Sequence, residues 1–224
     1  MKNIFFLFLI LFFSFLAIHN NGFAQETIKL PSPCLDGTVS LEKTLAERRT
    51  VREFSATPLS LDEISQLLWA GQGIIDRENG YRTAPSAGAL YPLTIYLIAG
   101  NVAGLPQGVY EYKPDGHELV KISEGDMRPE LCKGTFVEPW IKNAGATFVL
   151  TADYKKSEKK FAKQAIRYVD MEAGGAAQNI YLEAAAINVG IVAIGAFDCE
   201  KITKIIGISS SKKEPVYIIP AGKK

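Results

Sequence analysis

The chain has 224 residues, with 25 Lys and Arg against 24 Asp and Glu, 47% hydrophobic residues, three Cys and two His. That length holds one sizeable core and reads as a single domain, and a net charge of +1 with mixed signs lacks the strongly basic footprint of a nucleic-acid partner. His19 falls in an N-terminal apolar run. His117 alone remains in the body, which excludes multi-histidine zinc centres.

Met1-Lys2-Asn3 precedes an apolar run over residues 4–18, broken only by Ser14, and Gly22 and Ala24 follow it. A short basic start, about 15 apolar residues and a small-residue end fit a secretory signal peptide over residues 1–24. An uncleaved membrane anchor is the alternative, although a spanning helix usually needs about 20 apolar residues. The expectation is therefore an exported protein, periplasmic or secreted, that meets a membrane only through this segment if it stays attached. No Arg-Arg pair precedes the run, so the chain is expected to cross unfolded and to acquire any cofactor afterwards.

Residues 25–39 contain Pro31, Pro33 and Gly37 and read as an irregular lead-in to a domain over residues 40–224. Ser40 can cap a helix over residues 41–49. Ser60 and Glu63 form the pattern of a capping box ahead of an apolar stripe at Leu61, Ile64, Leu67, Leu68 and Gly71. Residues 83–92 are too rich in small residues and proline for a helix or a central strand.

A strand follows over residues 94–99, then a hairpin of residues 108–113 and 118–122 about Pro114-Asp115-Gly116. Any Ser/His/Asp or Cys/His nucleophile system would have to use His117, in that turn; the plainer reading is a solvated surface residue. Residues 147–152 read as a buried strand, and the lysines between Lys155 and Lys163 as solvated. Apolar positions from Ile166 to Ile187 predict a long helix over residues 164–188. Its low-bulk segment Ala173-Gly174-Gly175-Ala176-Ala177 predicts close approach of a neighbouring helix, with a flat ligand the alternative. A strand over residues 190–195, a short helix capped by Asp198 and a last strand over residues 216–220 before a basic tail complete the chain. The order mixes helices and strands without regular alternation, which points away from a doubly wound sheet.

Cys34, Cys132 and Cys199 lack Cys-x-x-Cys spacing, against a zinc knuckle or thioredoxin-like site. Export permits a Cys34–Cys132 disulfide, weighed here against free thiols. No dinucleotide or Walker glycine motif is present. Arg48-Arg49-Thr50-Val51-Arg52 packs three guanidinium groups and a hydroxyl into five residues, a grip suited to phosphate oxygens but also to a solvated face.

Five ordered blocks carry a resemblance. Arg48 to Phe54 with Pro58 to Ala70 resembles the opening of the nitroreductase superfamily, and Arg82-Thr83-Ala84-Pro85-Ser86-Ala87-Gly88-Ala89-Leu90-Tyr91-Pro92-Leu93 resembles the hallmark of its SagB-type dehydrogenase branch. Gly104-Leu105-Pro106 with Gly108-Val109-Tyr110, Glu172-Ala173-Gly174 with Ala176-Ala177-Gln178-Asn179, and Ile194-Gly195-Ala196-Phe197-Asp198 extend it.

The resemblance implies a homodimeric α+β fold with a central mixed, mainly antiparallel sheet flanked by helices and FMN at the subunit interface. It assigns the flavin phosphate and ring edge to Arg48, Arg49, Thr50 and Arg52. Pro85, Ser86, Ala87, Gly88 and Leu90 would contribute from the other subunit. Ile194, Gly195 and Ala196 would lie over the reactive edge of the ring, and Lys223 would reach the phosphate.

An FMN-dependent oxidoreductase that passes hydride between a small organic substrate and flavin follows, with a flavin carrier lacking turnover as the alternative. Few acid–base side chains are needed where the cofactor carries the chemistry. Azole-forming members of the branch pair a Lys with a Tyr before the long helix; the counterpart here is Lys160-Phe161, and the usual histidine before Ala-Ala-Gln-Asn is Gly175. These departures argue against azoline oxidation and leave Lys160 as a weak catalytic candidate.

Overall fold

The computed structural model describes residues 26–136, 138–209 and 211–224, so the expected signal segment lies outside the described residues. The strands are β1 (Thr27–Lys29), β2 (Ile74–Asp76), β3 (Tyr81–Arg82), β4 (Leu93–Ala99), β5 (Gly108–Lys113), β6 (Glu118–Glu124), β7 (Ala146–Ala152), β8 (Val189–Ile191) and β9 (Glu214–Lys223). The helices are α1 (Leu41–Glu47), α2 (Leu61–Gln72), α3 (Arg128–Gly134), α4 (Tyr154–Phe161), α5 (Ala165–Ala186) and α6 (Cys199–Ile205). Seven strands form one sheet in the order β1-β6-β5-β4-β7-β9-β8, and β2 pairs with β3 outside it. Every pair of named strands in the sheet is antiparallel, and parallel pairing is confined to bridges such as Thr50 to Ile191.

Alternation along the central strands splits the core in two. Ile95, Leu97 and Ala99 of β4 and Phe148 and Leu150 of β7 face a layer built on α2 and α5, while Tyr96, Ile98 and Val149 face α3, α6 and the 3-10 turn Pro139–Asn143. A sheet covered on both faces needs apolar residues at nearly every position, and β7 is buried throughout. On α2, Ile64, Leu67 and Leu68 are fully buried. Each contributes about 1.5–3 kcal/mol at most.

The helix caps are those read from the sequence. Ser40 accepts from Lys43 N, Ser60 and Glu63 form the complete capping box, and Asp198 accepts from Lys201 N. Other expectations are corrected. The lead-in is not wholly irregular, because Thr27–Lys29 pairs with β6. The lysine-rich stretch folds as α4, capped by Asp153. The strand expected over residues 190–195 stops at Ile191, leaving Ile194 to bridge Ile218, and the supposed basic tail is the end of β9.

His117 is not a solvated turn residue. It is half-buried with φ 46°, and its Nε2 lies 3.0 Å from Pro31 O and 2.6 Å from Ser65 Oγ. A carbonyl can only accept, so Nε2 carries the proton and Nδ1 accepts from Tyr112 Oη at 2.9 Å. Burial holds its pKa below the usual imidazole value. This cluster fastens the lead-in to the sheet.

The three cysteines are free. Cys34 is exposed and its backbone is clamped by the Gln66 side chain on α2, whereas Cys132 is buried on the opposite face of the sheet. That separation rules against the Cys34–Cys132 pairing. Among the described residues, no helix is long and apolar enough to cross a membrane, and no cluster of His, Cys, Asp and Glu could hold a metal ion.

Candidate functional site

Local packing draws two of the predicted blocks together. Residues after α1 run beside β8, where Val51 N donates to Ile191 O at 2.9 Å and Thr50 bridges Ile191. Tyr181 of α5 links them: its hydroxyl accepts from Ala193 N at 2.9 Å and lies 3.4 Å from Thr50 Oγ1. The Arg48 guanidinium sits 5.1 Å from the same ring, a cation–π contact. Arg52 lies 6.0 Å from the Trp140 ring, and Arg49 turns back to the carbonyls of Ala46 and Arg48. Nothing in the sequence singles out Tyr181, because a tyrosine within a helical stripe reads as core.

None of Arg48, Arg49 and Arg52 forms a salt bridge among the described residues. Three guanidinium groups within five residues, without a carboxylate partner of their own, favour an anion. Ile194 is anchored by its backbone to Ile218, with N–H···O distances of 2.8 and 3.0 Å, whereas Gly195 and Ala196 beyond it are exposed. A Cβ built on Gly195 would meet nothing within 4 Å, so the loop offers bare backbone beside the basic block. These features fit a flat, phosphate-bearing cofactor.

Lys223 is at the end of β9, where its carbonyl accepts from Ser55 N and its ammonium is ion-paired with the capping-box Glu63. It is therefore neutralised within the chain, unlike the arginines.

Pro85, Ser86, Ala87, Gly88 and Leu90 form a separate patch, folded around a 3-10 turn over Ala87–Ala89. Gly88 adopts φ 61°, and Ala89 and Tyr91 are also left-handed at 52° and 48°. The turn is held by Tyr91 N donating to Ser86 Oγ at 2.8 Å, Lys156 Nζ donating to Tyr91 O at 3.2 Å, and the Arg82 guanidinium 4.8 Å from the Tyr91 ring. Lys160 is not freely solvated: a Cβ on Gly88 would fall 2.6 Å from its Nζ and 3.1 Å from the Phe161 ring.

Glu172 lies behind this loop, 5% exposed, and burial pushes its carboxyl up to about 7 against the opposing pull of Ser86, Arg82 and Lys156. Burial likewise holds the Arg82 guanidinium below its ordinary value. Glu172 and Tyr181 are nine residues apart on α5, about 13 Å along the helix axis. The loop and the basic block are thus two stations on one helix.

The small-residue segment between them has two faces: Ala173, Ala176 and Ala177 are buried in the core layer with Ile64, Leu67 and Leu68 of α2, whereas a Cβ on Gly174 or Gly175 would meet nothing within 4 Å and Met171 beside them is 57% exposed. A cavity of about 790 Å³ lies elsewhere, walled by Leu41 of α1, Trp69 of α2, Leu182 of α5 and lead-in residues such as Cys34 and Val39. It contains none of the predicted site residues.

The nitroreductase family model matches residues 45–223. A nitroreductase-family protein of Methanocaldococcus jannaschii is 37% identical over 199 residues, covering 89% of this chain and 98% of that protein. The crystal structure of a nitroreductase-like protein from Ralstonia eutropha superposes with a TM-score of 0.78 at 28% identity, covering 90% of this chain and 91% of that one. A trifolitoxin operon protein of Rhizobium leguminosarum is 27% identical over 217 residues, which are 90% of this chain and 60% of that longer protein. The antiparallel sheet, the long helix and the ordered blocks between residues 45 and 223 therefore make this chain a member of the nitroreductase family.

Proposed function

We propose that the protein is an exported, FMN-dependent oxidoreductase of the SagB-type branch, acting as a homodimer on a small organic substrate. The observation that carries this reading is the unneutralised Arg48–Arg52 cluster joined through Tyr181 to the bare backbone of Gly195. Arg48, Arg49, Arg52 and Thr50 would hold the phosphate, and Ile194, Gly195 and Ala196 would flank the ring. FMN bound there would supply the redox chemistry, exchanging a hydride equivalent with substrate. The protein supplies orientation and electrostatics.

The homodimer is supported by the α5 surface. Gly174 and Gly175 face open space and Met171 beside them is 57% exposed, a strip on which the helix of a second copy would pack. Small residues let helix backbones approach closely. Export is supported by the basic, apolar and small-residue order of residues 1–24 alone. Nicotinamide donors are largely cytosolic, so an exported enzyme is better served by a substrate that reduces the flavin than by one that it reduces.

The test is direct. The purified protein is expected to take up FMN and turn yellow, and Arg48→Ala should weaken that binding about tenfold or more while the fold is retained, since a charge-assisted contact to phosphate is lost. Unchanged affinity removes the assignment. A carrier without turnover would show no reoxidation by added acceptors beyond that of free FMN.

A further inference from the structure

The chemistry above leaves one buried acid unused. Glu172, in the middle of α5, is 5% exposed, and its Oε1 has no hydrogen-bond partner. Ser86 of the loop, Arg82 of β3 and Lys156 of α4 face its carboxyl. The same three residues hold the loop. Ser86 Oγ accepts from Tyr91 N at 2.8 Å, which leaves its own proton to be donated to Glu172. Lys156 Nζ donates to Tyr91 O at 3.2 Å, and Arg82 N donates to Tyr91 Oη at 3.3 Å. Of the neighbouring charges, Asp170 on α5 accepts from Tyr154 Oη at 2.8 Å, and Lys160 lies against Gly88.

The loop needs holding. Left-handed backbone at Ala89 and Tyr91 is sparsely populated for residues with a Cβ and persists only where the surroundings over-determine it. The Glu172 carboxyl faces both the loop hydroxyl and the two cations gripping Tyr91. Arg82 and Lys156 form no salt bridge among the described residues; Glu172 acts on both charges, and Asp115, in the β5–β6 turn, acts on Arg82 as well.

We propose that Glu172 is a positioning residue for the cofactor site: its charge state sets how firmly the Ser86–Tyr91 loop is held, and through the loop how tightly FMN binds. This inference rests on the FMN reading above. When ionised, the carboxylate accepts from Ser86 and draws Arg82 and Lys156 inward. When protonated it no longer attracts either cation, and Arg82 keeps its interactions with Gln72, Tyr91 and Asp115. Burial pushes the carboxyl up to about 7, so the exchange falls near neutral pH.

The experiment titrates FMN into the native protein and Glu172→Gln across neutral pH. Native affinity should fall about threefold to tenfold from about pH 8 to about pH 6, as expected for a coupling of up to one pH unit. Glu172→Gln should keep only the slope due to the phosphate of FMN, which both proteins share. Identical slopes overturn the proposal.

A second arm needs no cofactor. The infrared C=O stretch of a neutral carboxylic acid should fade as the pH rises through neutrality, be missing in Glu172→Gln, and fade in step with slower amide exchange over residues 86–91, corrected for intrinsic rates. If Glu172→Gln does not fold, Ser86→Ala takes its place: loss of the hydroxyl donor should move the infrared midpoint to higher pH. Should no protein bind FMN, the functional reading fails while the infrared and exchange arms still decide whether Glu172 titrates against the loop. FMN binding without those signatures defeats the inference alone.

Discussion

Two regions of the molecule treat buried polarity in opposite ways. At the lead-in end, His117, Ser65, Tyr112 and Pro31 O satisfy one another, with both ring nitrogens partnered. Beside α5, Glu172 keeps an unpartnered oxygen, and the amide nitrogen of the neighbouring Gln72 is also unpartnered although its oxygen accepts from Arg82. A saturated cluster stabilises a fold because no donor or acceptor is stranded; an unsaturated one costs stability and occurs disproportionately at functional sites. The first reads as a staple for the N-terminal segment, the second as part of the working surface.

The sharpest way to break this contrast is His117→Ala. Removing the imidazole strands the Tyr112 hydroxyl and loosens Pro31, so a loss of about 3 kcal/mol is expected in urea denaturation. A change within experimental error would mean the staple carries no load. The folded pKa of His117 is depressed, so its contribution is present above the unfolded value of 6.5 and is lost as the pH falls through the folded value.

Glu172 should behave with the opposite sign. Its folded pKa is raised from 4.5 to about 7, so stability is fully present below the lower value and is lost as the pH rises through the upper one. Glu172→Gln should therefore stabilise the protein by about 2 kcal/mol at about pH 8 and by much less in acid. Thermal melts at both pH values check this, and a destabilised variant at the higher pH would place Glu172 with the staples.

Smaller effects sharpen the same line. Ser60→Ala breaks the saturated capping box and should cost about 1 kcal/mol, because Ser60 Oγ no longer satisfies Glu63 N. On the unsaturated face, Gly174→Ala should stabilise an isolated chain by about 0.5–1 kcal/mol through helix propensity, since its Cβ meets open space. If α5 pairs with a second copy, the same methyl should weaken self-association in sedimentation. Stabilisation with unchanged association would remove the glycine pair from the proposed dimer.

Local chemistry made much of this fold legible. Ser40, Ser60 and Asp198 announce helix starts because their side chains satisfy N–H groups that the helix leaves unpaired. The apolar runs of β4 and β7 announce strands covered on both faces. Missed elements lack such signals: β1 is three residues held by a distant partner, and the apolar content of α4 is too low for periodicity to register. Among site residues, the basic block and Gly195 stand out as types suited to phosphate and to close approach. Tyr181 and Glu172 do not, since their roles come from partners far away in sequence.

Sequence alone determined the membership of the chain in its fold class, its caps, its central strands and the residue types available for an anion and a flat ring, because these depend on neighbours within a few positions. Tertiary structure decided which of those residues meet. It turned a turn histidine into a half-buried staple, separated Cys34 from Cys132 across the sheet, neutralised Lys223 on Glu63 while leaving Arg48 without a salt bridge among the described residues, and buried Glu172 behind Ser86. Burial and pairing are properties of surfaces brought together by the whole fold, and no local pattern encodes them.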